Sequence, residues 1–207
     1  MPRFRSSRRV KTQRAPIDLY VGSMADFAFP PELPEGRWQR LRGVSSAQLR
    51  AASEGAFELS DPMDRKALES ILSHFPHSRD SLFDHSWMFV QADQPVGLCM
   101  ISKRHYLTSD RALPYVDLVA VRPGDQRKGV ASALLFKAGK SLWDDGYREL
   151  LHAHIRRGNS ASEALFRRLG FLLWHKDCER GPARPKPKSK PVVGLGGDFR
   201  NQSLELS

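Results

Sequence analysis

The sequence predicts a single α/β domain with a central mixed β-sheet flanked by helices. Three observations carry that expectation. β-prone runs alternate with amphipathic stretches of helical period along most of the chain, as expected for helices laid against a sheet. The 207 residues suit one ordinary domain and are too few for two large ones. Hydrophobic residues make up 40% and charged residues 27%, which allows a core and excludes wholesale disorder.

Residues 15–36 include FAFPPELPEG and read as an irregular lead-in. Arg37–Arg42 is the first expected strand, and Ser45 and Ser46 offer a cap for a short helix through Ala52. Asp61 is placed as the N-cap of a better helix, with Pro62 in its first turn. In it Met63, Ala67, Leu68, Ile71, Leu72 and Phe75 recur at helical spacing. Trp87–Gln91 and Val96–Ser102 flank the turn-like Ala92-Asp93-Gln94-Pro95 and predict a hairpin. Tyr115–Val121 is a strongly β-prone run, and a helix over about Lys128–Asp145 aligns Val130, Leu134, Ala138 and Leu142. Glu149–Ile155 is another strand. Ser160–Leu169 is a helix with Ala161, Leu165 and Leu169 on one side, and Gly170 stands where a C-terminal cap belongs. Phe171–Lys176 resumes as a strand, and Phe199–Leu206 is the expected last one.

Charge divides the chain differently. The net charge is +10, yet residues 1–14 carry six positive charges and no acid, and 178–190 carry a net of four. Residues 191–207 are at −1, which leaves a body near +1. The expected organisation is therefore a basic disordered tail over 1–14 and a folded domain over 15–207, with a basic Pro/Lys insertion at 179–191. Pro182–Pro191 should be extended, because proline fixes φ and supplies no N–H. These segments are either solvated and inert or attracted to a polyanion such as DNA, RNA or an acidic protein face.

Other classes are disfavoured. Two cysteines, Cys99 and Cys178, make no disulfide framework, and neither CxxC nor HxxxH spacing occurs, so no metal is expected. Apolar runs fall well short of the roughly 20 residues that a membrane span needs. The basic N-terminus has no apolar stretch behind it, so a cytoplasmic protein without a secretory signal is expected.

Chemistry concentrates in Tyr115–Phe171. A strand ends at Val121-Arg122-Pro123, and after a short loop Gln126-Arg127-Lys128-Gly129-Val130-Ala131 opens a helix. A glycine there lets backbone approach a ligand, and the free N–H groups and the helix dipole favour an anion. Each exposed dipole contact is worth only about 0.3–1 kcal/mol, so several must converge to hold a pyrophosphate. Downstream runs Asn159-Ser160-Ala161-Ser162-Glu163-Ala164-Leu165-Phe166-Arg167-Arg168-Leu169-Gly170-Phe171.

Together the two blocks resemble the GNAT superfamily of acyl-CoA-dependent N-acyltransferases. The first is similar to its Q/R-x-x-G-x-G/A loop after a V-x-P strand end, the second to its N-x-x-A-x-x-x-Y-x-x-x-G-F pattern. Ile155 falls four residues before Asn159, as the family's strand–loop junction does. The resemblance covers about Trp87–Lys176 well and Arg37–Phe75 loosely. It implies a splayed sheet, an acetyl-CoA co-substrate held without metal, and an amine acceptor. Backbone groups of Val119 and Val121 would pair with the pantetheine arm. Gln126, Arg127, Lys128, Gly129, Val130 and Ala131, with Ser132 just inside the helix, would cradle the pyrophosphate. Asn159 and Ser162 would contact the pantetheine or adenosine side, and Phe166 would stand beside the thioester. Arg127 occupies a place where a second glycine often stands. Arg127 and Lys128 either add charge near a CoA phosphate or are two solvated cations.

Amide formation needs a neutral amine, and deprotonating an alkylammonium of pKa near 10.4 at pH 7 costs about 4–5 kcal/mol. Asp117, four residues before Val121, is the first candidate base, acting through water. A free Asp is a poor base at neutral pH, so burial would have to raise it; otherwise Asp117 orders a neighbouring strand or loop. His152 and His154 share one strand face, and histidine is better matched to pH 7, so His154 joins Asp117 as a catalytic candidate. Phe166 departs from the family tyrosine whose hydroxyl protonates the leaving thiolate. Tyr115, Tyr147, Ser162 or water are the alternatives. Cys99, Trp38, Trp87, Trp143 and Trp174 read as packing residues.

Three functions follow as expectations. The first is an N-acetyltransferase acting on a polyanionic or nucleic-acid-associated acceptor. The second is a small-molecule amine acetyltransferase, and the third is a non-catalytic acyl-CoA- or nucleic-acid-binding module.

Overall fold

The computed structural model describes residues 16–27, 33–57, 62–105 and 112–178. The seven strands are β1 (Ile17–Gly22), β2 (Arg37–Arg40), β3 (Trp87–Gln91), β4 (Gln94–His105), β5 (Ala112–Val121), β6 (Leu151–Arg156) and β7 (Leu172–Cys178). The helices are α1 (Ser46–Ser53), α2 (Pro62–His74), α3 (Val130–Asp144) and α4 (Ser160–Arg168). All seven strands form one mixed sheet in the order β2-β3-β4-β5-β6-β1-β7. Strands β2 to β5 are antiparallel in succession, β5 and β6 are parallel, and β1 lies antiparallel between β6 and β7.

Local chemistry accounts for the elements that the sequence foretold. Ser45 accepts from the amide of Gln48, whose side chain returns to the Ser45 amide, a reciprocal cap that starts α1. In α3 the aligned Val130, Leu134, Ala138 and Leu142 are all buried. They pack with Val116, Val121, Leu151, Ala153, Ile155 and Phe166 on one face of the sheet. Leu49, Ala52, Leu72 and Phe75 from α1, α2 and the turn after α2 cover Met88, Leu98, Met100 and Ala120 on the other.

Several expectations are corrected. Residues 15–36 are not all irregular: β1 lies within them, its Tyr20 1% exposed in the α3-side core. Asp18 interrupts the apolar pattern of β1, and it is buried because Arg157 binds both its oxygens, Nη2–Oδ1 2.7 Å and Nε–Oδ2 3.2 Å. The β3–β4 turn is tighter than the four residues expected, with Ala92 and Asp93 at φ 46° and 56° in the left-handed region that two-residue hairpins use. Ala161 is exposed, because α4 buries Phe166 and the residue after its end, Leu169, instead. Trp174 and Trp143 are exposed, at 68% and 37%, since Trp174 sits on the edge strand β7 and Trp143 in the last turn of α3. Asp61, the tail 1–14, the insertion 179–191 and the expected strand Phe199–Leu206 lie outside the described residues. Among the described residues no helix is long and apolar enough to cross a membrane.

Candidate active site

The site begins with a failure of strand pairing. β5 and β6 pair only at Tyr115–His152 and Val116–Ala153, whereas β5 stays paired with β4 as far as Val121. The register of β5 against β4 shifts between Ile101–Val116 and Met100–Leu118, which makes Asp117 the extra residue of a bulge at the point of divergence. Beyond it the β6-facing edge of β5, including Val119 and Val121, has no strand partner among the described residues.

The chain then turns through a short 3₁₀ segment, Pro123–Asp125, into α3. Gly129 caps that helix at φ 82°, ψ −8°, a conformation suited to glycine. The first helical bond runs from the Ala133 amide to the Gly129 carbonyl at 2.9 Å. The amides of Gly129, Val130, Ala131 and Ser132 therefore have no carbonyl inside the helix, and no side chain caps them. A Cβ at Gly129 would meet nothing within 4 Å, so the space before these donors is open. Arg127 adopts φ 63°, which gives a physical reason for glycine to be common there. Lys128 Nζ is 3.0 Å and Arg122 Nη2 3.2 Å from opposite oxygens of Asp125. The hydrogen bond from Lys128, followed by that from Arg122, holds the Asp125 carboxyl below its ordinary range. Lys128 is thus partly neutralised, while Gln126 donates from Nε2 to the Val121 carbonyl at 3.0 Å and ties the loop to the strand end. Uncapped amides, open space and an unpaired strand edge fit a nucleotide thioester.

On α4, Asn159 acts as the N-cap, its Oδ1 accepting from the Ser162 amide at 3.1 Å. Phe166 is 5% exposed and stands edge-on to Phe171, ring centroids 4.8 Å apart, so its ring is part of the α3-side core. Tyr147, one alternative donor, packs against His85 near the carboxyl end of α3, a helix about 22 Å long at 1.5 Å per residue, whereas Gly129 caps its start. Tyr115 stands at the divergence itself.

A polar cluster gathers on the sheet face opposite α3. Arg104 Nη2 is 2.5 Å from Asp117 Oδ1, and its guanidinium lies 4.1 Å from the centre of the Tyr115 ring. That ring meets His154 edge-on at 5.4 Å. Burial first, then the charge of Arg104, lowers the pKa of His154 below its ordinary value, and burial lowers that of His152. His154 is therefore neutral near pH 7 and able to accept a proton. Asp117 is engaged by Arg104 in that ion pair. Sequence reasoning missed Arg104, because the expected strand stopped at Ser102, whereas β4 runs on to His105. Cys99 is fully buried, and burial pushes its thiol well above the ordinary range. No cluster of metal-ligating side chains occurs among the described residues.

This geometry can be set beside known proteins. The model of the acetyltransferase (GNAT) family matches residues 47–171. A GCN5-related N-acetyltransferase from Sphaerobacter thermophilus superposes with a TM-score of 0.57 at 19% identity, covering 79% of this chain and 50% of that one. The chain thus spans half the length of the Sphaerobacter protein. AAC(6')-Iy, in complex with the bisubstrate analogue CoA-S-monomethyl-acetylneamine, matches with a TM-score of 0.51 at 14% identity, covering 80% of this chain and 99% of its own. The ribosomal-protein-S18-alanine N-acetyltransferase from Escherichia coli matches with a TM-score of 0.50 at 20% identity, covering 67% and 78%. A comparison with curated protein sequences found no match.

The fold is that of the N-acetyltransferases on which the chain superposes. The chain belongs to the GNAT acetyltransferase family.

Proposed function

We propose that the protein transfers an acetyl group from acetyl-CoA to a primary amine by direct attack in a ternary complex. The observation that supports this most is the corner where β5 leaves β6 beside the uncapped start of α3. The pyrophosphate is assigned to the amides of Gly129–Ser132 with Gln126, Arg127 and Lys128 around them, and the pantetheine arm to the β5 edge at Val119 and Val121. Asn159, Ser162 and Phe166 are assigned to the α4 side of the same ligand.

His154 is assigned as the base, since it is neutral at working pH. The amine nitrogen bonds to the thioester carbonyl carbon and gives its proton to His154, the C–S bond breaks, and the departing thiolate takes a proton from water. Phe166 has none to give. Asp117 positions the cluster through Arg104. The basic stretches 1–14 and 179–191 support an acceptor that belongs to a polyanionic molecule or its associated protein.

Titration with acetyl-CoA, paired with thiol release over a panel of amines, tests the reading. Binding together with amine-dependent thiol release is expected, and His154→Gln should lower kcat roughly 100-fold without weakening coenzyme binding. Absence of acetyl-CoA binding would end the proposal. Binding without thiol release would favour an acyl-CoA-binding module, the reading that Phe166 supports.

A further inference from the structure

We propose that Phe199–Leu206 docks on the outer edge of β7 as an eighth, antiparallel strand, with Leu206 opposite Leu172 and Leu204 opposite Trp174. This holds whether or not the chain transfers acetyl groups. β7 is the last strand of the sheet, paired with β1 on one side and with no strand on the other among the described residues. Such an edge carries a row of backbone donors and acceptors that templates a further strand. The side chains add to that demand. Leu172 and Trp174 are 71% and 68% exposed, and no other large hydrophobic residue among those described exceeds 39%. Leu173 between them packs against the α3-side core, so the two stand together on the opposite face, where Leu172 pairs with Val21 of β1.

The chain supplies an occupant of its own. Residues 179–207 continue directly from β7, and within them Phe199–Leu206 (FRNQSLEL) is the expected strand, preceded by Gly194, Gly196 and Gly197. An antiparallel return needs a connection of as few as two residues, and 179–198 supply far more. The tether therefore permits the pairing and the side chains select its register. Strand alternation puts Gln202, Leu204 and Leu206 on one face. With Leu206 against Leu172, Leu204 falls against Trp174 and Gln202 against Lys176, which gives two apolar cross-strand pairs. A slip of one residue would set Glu205 and Ser203 against the same two side chains. A second copy fits less well. Antiparallel self-pairing centred on Trp174 would lay Leu172 against Lys176 of the other copy. The two register shifts of β7 against β1 also give a bulged edge, a device that disfavours edge-to-edge association. The tethered segment meets β7 at an effective concentration of about millimolar, whereas a second copy is subject to dilution. Once docked, Phe199–Leu206 fixes the far end of the basic stretch 179–191. The near end lies where Cys178 meets Ile17 and Ile17 meets Arg156, the end of the sheet at which β5 runs into α3.

Hydrogen–deuterium exchange on the full chain, read by mass spectrometry with light scattering at the same concentrations, tests the docking. In a monomer the amides of Phe199–Leu206 should exchange at least about 10-fold more slowly than those of a free peptide of that sequence. The double substitution Leu204→Lys/Leu206→Lys should return them to the free-peptide rate and speed the outward amides of β7 about 10-fold. Amides of α3 should stay protected in that variant, which reports that the body remains folded. Trp174→Ser, the reciprocal change on β7, should release Phe199–Leu206 as well, and it carries the comparison if the lysine variant folds poorly. Free-peptide exchange of Phe199–Leu206 in the wild type would overturn the proposal. So would protection of β7 that the lysine substitutions leave unchanged, since the segment would then pack elsewhere. Protection of β7 that falls on dilution together with a dimer-to-monomer transition would give the edge to a second copy and overturn it equally.

Discussion

Replacing Gly129 with alanine adds one methyl group at the cap of α3 and separates the demands of folding from those of the coenzyme. The left-handed conformation at φ 82° costs an L-residue about 1–2 kcal/mol. Apart from Gly129 and its chain neighbours, no residue lies within 4 Å of the added Cβ, so backbone strain dominates the folding penalty. At about 2–4 °C per kcal/mol for a chain of this size, the melting temperature should drop by about 2–8 °C. The effect on the ligand is larger. The methyl group would stand in the open space before the amides of Gly129–Ser132 and hold a phosphate away from them. A hydrogen bond to a charged group contributes about 1.5–3 kcal/mol, so forfeiting one weakens acetyl-CoA binding about 10–150-fold. Calorimetric titration of acetyl-CoA and ligand-free thermal unfolding, run on both proteins, read the two effects separately. Wild-type affinity in a variant that melts a few degrees lower would refute the placement of the coenzyme at this corner.

Other perturbations probe the remaining parts. Phe166→Tyr should raise kcat several-fold by restoring a proton for the leaving thiolate, at a cost of about 1–3 kcal/mol for a newly buried hydroxyl; stopped-flow thiol release and denaturant melts check both. Burial lowers the pKa of His85, His152 and His154 below the ordinary 6.5, so the unfolded chain binds more protons on acidification. Stability should therefore be full above about pH 6.5 and decline as pH falls below it. His85→Gln should flatten part of that slope in melting curves taken across the range, since His85 is buried between Ser141 Oγ at 3.2 Å and Asp145 at 3.5 Å. Asp18→Asn should cost about 1–3 kcal/mol by urea unfolding, because Arg157 loses a charged partner but remains partly solvated.

The legible parts of this protein are those whose signal is local. α3 announces itself because four buried residues recur along one face, and α1 because Ser45 and Gln48 form their cap within a single turn. The loop Gln126–Ser132 was readable because a strand end, a glycine and a helix start follow one another directly. What the sequence hid depends on distant partners. Asp18 looks like a residue that belongs outside a strand until Arg157, 139 positions away, is seen to bind it. Arg104 lies past the expected end of its strand at Ser102, and its place shows only when Tyr115 and Asp117 are seen against it. Trp174 looks like a core residue until β7 proves to be the outermost strand.

The strand that was hardest to read also explains why the sheet opens. Unpaired strand edges are costly, because each buried amide or carbonyl without a partner forfeits a hydrogen bond. β6 could in principle zip along the whole of β5 and abolish the wedge. It does not: the pairing stops at the Asp117 bulge, while on its other edge β6 is held by β1 residue for residue from Ile17–Arg156 to Gly22–Leu151. The Asp18–Arg157 ion pair fastens one end of that ladder. At the other end Gly22 lies so close to the Phe171 ring that a Cβ there would sit 2.8 Å from it. With β6 held along its full length by β1 and at only two positions by β5, the bulge at Asp117 can turn β5 away without unravelling the sheet. The wedge thus opens where the β5 bulge ends the β5–β6 pairing while β1 holds β6 in place. Substitutions that weaken β1 should loosen the active site even though β1 contributes none of the residues assigned to it.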